Sequence, residues 1–141
     1  MMKRIKNFLK VLLFLSLVAF FVHFYLSFFL TELCSWNRGI IFGLVDFLTP
    51  FLLSMILFFF LTFVVFVLWQ SYKYYWELLA VLFFSSLGNI IDRVIFGEVC
   101  DYIHIKFFFN FPVFNLNDIF ISIALILILF IIFYETIYCK K

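Results

Sequence analysis

The sequence predicts an all-α integral membrane protein: a bundle of four transmembrane helices. Apolar residues make up 68% of the 141-residue chain and charged residues only 13%. Soluble domains are nearer half apolar and a quarter charged, so water is not the main solvent of this chain. The mean hydropathy of +1.25 agrees. The few charges are also clustered, and they divide the chain into long uncharged runs.

The first uncharged run covers residues 11–31, and about 20 apolar residues suffice to cross a bilayer. It follows a basic start and so resembles a secretory signal. Its length, and the lack of an A-x-A-like site after it, predict a retained signal-anchor helix. The second run, 47–72, carries Pro50 near its start, where a helix tolerates proline. The third and fourth runs, 78–91 and 119–134, are short for a span. Each is expected to extend past its charged borders, which sets Asp92 and Asp118 at or just inside the membrane edge. The expected spans are 8–31, 47–72, 75–95 and 115–137, within one membrane domain, 1–141.

With four spans, Lys3, Arg4, Lys6, Lys10, Lys73, Lys140 and Lys141 fall on one side and Arg38, Arg93 and Lys106 on the other. The positive-inside rule puts both termini in the cytoplasm and turns the segments 32–46 and 94–116 outward. Trp36, Tyr74, Tyr75, Trp76 and Tyr102 lie near the predicted borders, as interfacial aromatics do. The net charge of +2 forms no basic stripe, which argues against a nucleic-acid partner. Cys34, Cys100 and Cys139 make no CxxC pair and no recognisable disulfide framework, so they leave the redox compartment open. The 26 phenylalanines fit a general compositional bias, and no single one is a site candidate.

Polar residues recur in a pattern. Ser85, Gly88, Asn89 and Asp92 share one face of the third helix, and Asn115, Asp118 and Ser122 share one face of the fourth if that helix begins early. Between them runs a segment with Gly97, Asp101, His104, Lys106 and Pro112, too polar to enter lipid. Three aspartates, Asp92, Asp101 and Asp118, thus collect near the outer surface. Ionisable groups at membrane depth are costly and usually functional. Two close carboxylates cannot both ionise cheaply, so they share a proton and suit acid/base chemistry as a unit. Which one is the base stays open.

GNIIDRVIFGEVCDYIHI, residues 88–105, resembles the G-N-x-x-D-R…G-x-V-x-D-[FY]-I block of lipoprotein signal peptidases. FPVFNLNDIFIS, residues 111–122, is similar to that family's P-x-F-N-x-A-D-S block, and NRGIIFG, 37–43, to its N-x-G-x-A-F-G segment. The resemblance implies a four-helix aspartyl peptidase of the bacterial inner membrane, with its active site near the outer face. It implies cleavage of lipid-modified prolipoproteins just before the diacylglyceryl-cysteine. Asp101 and Asp118 then fall on the catalytic positions, and Asn37, Gly88, Asn89, Asp92, Arg93 and Asn115 on supporting ones. The segment 32–46 would be the β-structured platform. No cofactor or metal is implied, and the expected partners are prolipoproteins and membrane lipid, with the chain a monomer. The chain departs from the pattern at His23, near the place of a first-helix acid, at Ile41, and at Asn117, where the family has alanine.

Other readings accompany these residues. Asp118 would serve equally as a helix cap. Asp92 and Arg93, neighbours that do not share a helical face, are expected to support the site rather than react. Cys100 and His104 suggest a cysteine nucleophile, but a buried apolar cysteine and an interfacial histidine are the simpler expectation. His23 is expected to be a helix–helix contact, since no second His or Cys lies at ligand spacing. Gly88 is expected to permit close helix packing. The competing function is a small transporter or proton-conducting channel, which would also use intramembrane aspartates. A pore wants polar groups through the whole depth, whereas here they stop near one face.

Overall fold

The computed structural model of the protein describes residues 2–37, 50–72, 75–105 and 112–138. Four helices dominate: α1 (Met2–Phe29), α2 (Pro50–Tyr72), α3 (Trp76–Phe96) and α4 (Leu116–Tyr138). Helices α1, α3 and α4 are each long and apolar enough to cross a membrane. Helix α2 opens on Pro50 and runs for 23 residues, about 34 Å at 1.5 Å per residue. Both α3 and α4 continue through charged borders, so Glu77, Asp92, Arg93, Asp118 and Glu135 all lie within helices.

The outward faces are hydrocarbon. Phe14, Phe21, Phe29, Phe59, Phe63 and Phe133 are between 64% and 69% exposed. In water such a surface would associate without limit; in a bilayer it meets solvent of its own kind. Helix α3 sits at the centre and packs against α1, α2 and α4, while α1 also touches α4. Its inward face explains this role. Leu78, Val81, Leu82, Ser85, Gly88, Asn89 and Asp92 recur at helical spacing and are all buried.

That face changes character along its length. Toward its start, Leu78, Leu79, Val81 and Leu82 form the apolar core with Leu9 and Leu12 of α1, Leu61 of α2, and Ala124 and Ile128 of α4. Toward its end, the buried residues are polar: Asn89 and Asp92, with His23 and Ser27 of α1 and Asn115 and Asn117 at the start of α4. One end of the bundle is thus oil and the other a polar centre.

Two short strands cap the polar end. Strand β1 (Ser35–Asn37) pairs antiparallel with β2 (Val99–Asp101), Ser35 opposite Asp101 and Asn37 opposite Val99. Gly97 delivers β2 from α3. It takes a left-handed conformation, φ 77°, and its N–H closes the helix on Arg93 O at 3.1 Å, a terminus glycine adopts without a Cβ clash. After β2, an antiparallel bridge between Ile103 and Phe114 closes the next excursion of the chain. It returns the backbone to the sheet one residue before Asn115. Residues 38–46 of the expected platform lie outside the described residues, as do Lys73, Lys106, Lys140 and Lys141.

The fourth helix starts one residue later than the shared-face reading of Asn115 and Asp118 requires. Asn115 precedes α4 and caps it: its Oδ1 accepts the Asp118 N–H at 3.1 Å, and Asp118 Oδ2 accepts the Asn115 N–H at 3.1 Å. This reciprocal pair is a capping box. Asp118 is therefore the third residue of the helix and Asn115 the cap.

Candidate active site

The bridge at Ile103 and the cap at Asn115 bring Asp101 and Asp118 to one place. Asn115 Nδ2 donates to Asp101 Oδ1 at 2.9 Å, and Asn37 Nδ2 donates to Asp101 Oδ2 at 3.0 Å. Asn89 Nδ2 donates to Asp118 Oδ1 at 2.7 Å, and the Asn115 N–H to its Oδ2. Every oxygen of the two carboxylates thus accepts a hydrogen bond from an asparagine. Three helices or strands contribute: β1 through Asn37, α3 through Asn89, and the α4 cap through Asn115.

This arrangement orients both carboxylates without neutralising either one. Burial pushes the Asp101 carboxyl above its ordinary value, and the facing Asp118 charge adds to the rise. The amide bonds from Asn37 and Asn115 and the Arg93 charge oppose it. Asp118 occupies the first turn of α4, where the helix N-terminus favours an anion. Arg93 reaches back one turn to donate to Asn89 O at 3.2 Å, so it steadies the backbone behind the Asp118 partner. Tyr102 supports the same corner, its hydroxyl accepting the Leu116 N–H at 3.3 Å.

The two aspartates open into a cleft of about 900 Å³. Its polar end holds Asn37, Arg93, Asp101 and Asp118, and its apolar wall is Ile119, Ile123 and Ile126 of α4. An apolar cavity of about 260 Å³ between α2, α3 and α4 shares Asn89 and Arg93 with it. A chain with an apolar portion and a peptide bond fits such a shape, the first against α4 and the second against the carboxylates.

The third aspartate belongs to a different arrangement. Asp92 is 1% exposed and does not line the cleft. Its Oδ2 accepts from Ser27 Oγ at 3.1 Å and from the Cys100 N–H at 3.0 Å, and it lies 3.0 Å from His23 Nε2. The imidazole is at ion-pair distance, with its N–H direction off the line of a good hydrogen bond. Asp92 therefore ties α1 and α3 to β2, one residue from Asp101. His23 meets another helix, as its position suggested. Gly88 also does what was expected: a Cβ there would overlap the side-chain nitrogen of Asn117.

One expectation fails. Cys34 and Cys100 are joined by a disulfide, with Cα atoms 4.9 Å apart. Cys100 is not a free apolar cysteine, and the bond leaves no thiolate for a nucleophile; His104 is exposed. The sequence separation of 66 between the two cysteines hid the pair. The available signal was topological: the positive-inside rule is expected to turn both segments outward, where disulfides form. Ser27 was likewise missed, since a serine in an apolar helix ordinarily bonds its own backbone, as Ser27 also does to His23 O.

Fold and site together define a helical membrane protein with a carboxylate pair at one end of its bundle. The chain belongs to the signal peptidase II family, whose model, described as Signal peptidase (SPase) II, matches residues 5–134. It is similar to a lipoprotein signal peptidase of Staphylococcus epidermidis, 39% identical over 64 residues, which are 45% of this chain and 40% of that one. A lipoprotein signal peptidase of Staphylococcus aureus is 42% identical over 59 residues, 41% of this chain and 36% of its own. The matched stretch thus spans well under half of these relatives. The fold is shared with a solved structure described as a bacterial membrane enzyme, at TM-score 0.66 and 23% identity, covering 96% of this chain and 92% of that one.

Proposed function

We propose that the protein is a membrane aspartyl endopeptidase that removes signal peptides from lipid-modified prolipoproteins, cutting before the diacylglyceryl-cysteine. The observation that carries this is the pair Asp101 and Asp118, each held at both oxygens by asparagine donors at the head of an apolar-walled cleft. Family membership supports the substrate class.

The chemistry follows from the environments. Asp101, whose carboxyl is raised by burial, holds the shared proton and hydrogen-bonds the scissile carbonyl oxygen. Asp118, at the helix N-terminus, is the carboxylate that takes a proton from the attacking water. A C–O bond forms, and the negative charge gathers on the oxygen beside Asp101. The proton gained by Asp118 passes to the departing amine as the C–N bond breaks. Asn37, Asn89 and Asn115 position the carboxylates throughout. The apolar wall of Ile119, Ile123 and Ile126 accommodates the lipid-bearing or signal portion of the substrate.

The site faces outward from a bacterial inner membrane, with both termini cytoplasmic. The distribution of Lys and Arg supports this, and so does the Cys34–Cys100 disulfide, which belongs to an oxidising compartment. One chain supplies both carboxylates and their donors, so a monomer suffices.

The test is a time course of prolipoprotein conversion by the purified protein in detergent or nanodiscs. Asp101→Asn and Asp118→Asn should each lower turnover by about three orders of magnitude or more, and the double variant no further, because the pair acts as one unit. Substantial turnover by either single variant would sink the proposal.

A further inference from the structure

Strands β1 and β2 are three residues each, too short to fix a register by their own ladder. Yet the site depends on that register. Asn37 lies on β1 and donates to Asp101 on β2. A slip of one residue would turn Asn37 to the opposite face and remove the donor.

The disulfide stands where it prevents such a slip. Cys34 immediately precedes β1, and Cys100 is the middle residue of β2, directly before Asp101. Cys100 is fully buried, and its N–H is committed to the Asp92 carboxylate. The bond therefore anchors β1 to a point that α1 and α3 already hold through Ser27, His23 and Asp92. Trp36, opposite Cys100 in the ladder, packs on Phe96 with ring centroids 5.1 Å apart, which seats the other side of β1 on the end of α3.

We propose that the Cys34–Cys100 disulfide is a positioning device for the Asp101 carboxyl, so that the activity of this site is conditional on oxidation. The activity side of this inference rests on the peptidase reading; the bond and its effect on the strands do not. Oxidation removes two electrons and two protons from the two thiols. They pass to the disulfide of an extracytoplasmic thiol oxidoreductase, which leaves as a dithiol while the S–S bond forms on this chain. Reduction is the reverse, by a dithiol attacking the sulfur of Cys34, the less buried residue of the pair, and expelling the Cys100 thiolate. In the reduced protein β1 keeps its short ladder, the Trp36–Phe96 contact and the Asn37–Asp101 bond but loses its covalent tie to β2, so the Asn37 donor is less firmly placed on Asp101.

The experiment uses the full chain in nanodiscs. Alkylation under denaturing, non-reducing conditions should label one cysteine, Cys139, and label three after reduction. Reduction with a dithiol should lower kcat about tenfold or more while KM changes little, since misplacing a reacting group by about an ångström costs on that scale. Reoxidation should restore kcat in the native sequence and not in Cys34→Ser/Cys100→Ser, with Cys139→Ala behaving as the native sequence throughout. The limb of the pH–rate profile set by the carboxyl pair should also move upward on reduction, because the Asn37 bond holds the Asp101 carboxyl down. Hydrogen exchange at residues 35–37 and 99–101 should quicken. Three alkylatable cysteines before reduction would overturn the proposal, and so would a reduced enzyme with unchanged kcat and pH profile. If the oxidised protein cleaves no prolipoprotein, the functional reading fails instead. Exchange then decides: strands whose protection ignores reduction would overturn the positioning role.

Discussion

Asn115 Nδ2 lies 2.9 Å from Asp101 Oδ1, while the backbone N–H of the same residue donates to Asp118 Oδ2 at 3.1 Å. One fully buried asparagine thus caps α4 and bridges the two carboxylates. These roles use different atoms, and substitutions separate them.

Asn115→Ser keeps a capping oxygen for the Asp118 N–H and removes the donor to Asp101. Stability should change little, since serine caps about as well as asparagine. Turnover should fall by about one to two orders of magnitude as Asp101 loses a fixed orientation. Asn115→Ala should lose the same activity and also about 1 kcal/mol of stability with the cap. Thermal unfolding and initial rates on the same preparations check both. Equal stability of the two variants would mean that the cap does not matter.

Asp101 should cost the protein stability at neutral pH. Its carboxyl is raised above the ordinary 3.8 in the folded state, chiefly by burial, so the folded protein binds the proton more tightly than the unfolded one. Stability then falls as pH rises from the unfolded value through the raised folded value. Below 3.8 both states are protonated and the penalty is absent. Asp101→Asn removes it. This variant should be at least as stable as the native protein at pH 7, with the advantage shrinking toward acid pH. A loss of stability at pH 7 would show that the ionised carboxylate holds the fold.

Gly88 and Asn117 should be energetically coupled. A methyl group at residue 88 would overlap the Asn117 side-chain nitrogen, and Asn117 is fully buried with neither polar side-chain atom hydrogen-bonded among the described residues. Gly88→Ala should destabilise by about 1–3 kcal/mol through overpacking next to the Asp118 turn. Asn117→Ala removes an amide that makes no bond, so it should cost little or stabilise. The double variant should regain most of the loss. A double-mutant cycle by thermal unfolding reads the coupling directly, and additive effects would contradict the contact.

The helical membrane class was legible because hydropathy and sparse charge act over whole segments. The polar face Ser85, Gly88, Asn89 and Asp92 was legible too, since helical spacing alone sets it, and all four are buried. Spacing does not say what a face meets. Asn89 turns to Asp118 and Asp92 to Ser27 and His23, so one stripe serves two centres. The start of α4 was left open, because Asn115 and Asp118 fit both a shared face and a capping box. The disulfide and the β1–β2 register depend on contacts across more than sixty residues, which no local pattern encodes.

Asp92 should behave as a brace rather than a reactant. It is an acid buried out of contact with the cleft, and its Oδ2 gathers Ser27, His23 and the Cys100 N–H. Asp92→Asn keeps an oxygen that can accept from Ser27 and Cys100 but loses the charge facing His23. We expect about 1–3 kcal/mol of destabilisation, as for a buried group left partly unmatched. Turnover should fall only about tenfold, through the backbone that links Cys100 to Asp101, and stay far above the floor of the Asp101 and Asp118 variants. His23→Leu removes the other member and should destabilise by a similar amount. In His23→Leu/Asp92→Leu no charge is left buried without its partner, so the double variant should cost less than the sum of the two single leucine substitutions. Thermal unfolding in detergent gives the cycle, and cleavage rates on folded protein give the catalytic share. If Asp92→Asn, still folded, drops to the same floor as Asp101→Asn, then Asp92 takes part in the chemistry and the division into a reacting pair and a separate brace is wrong.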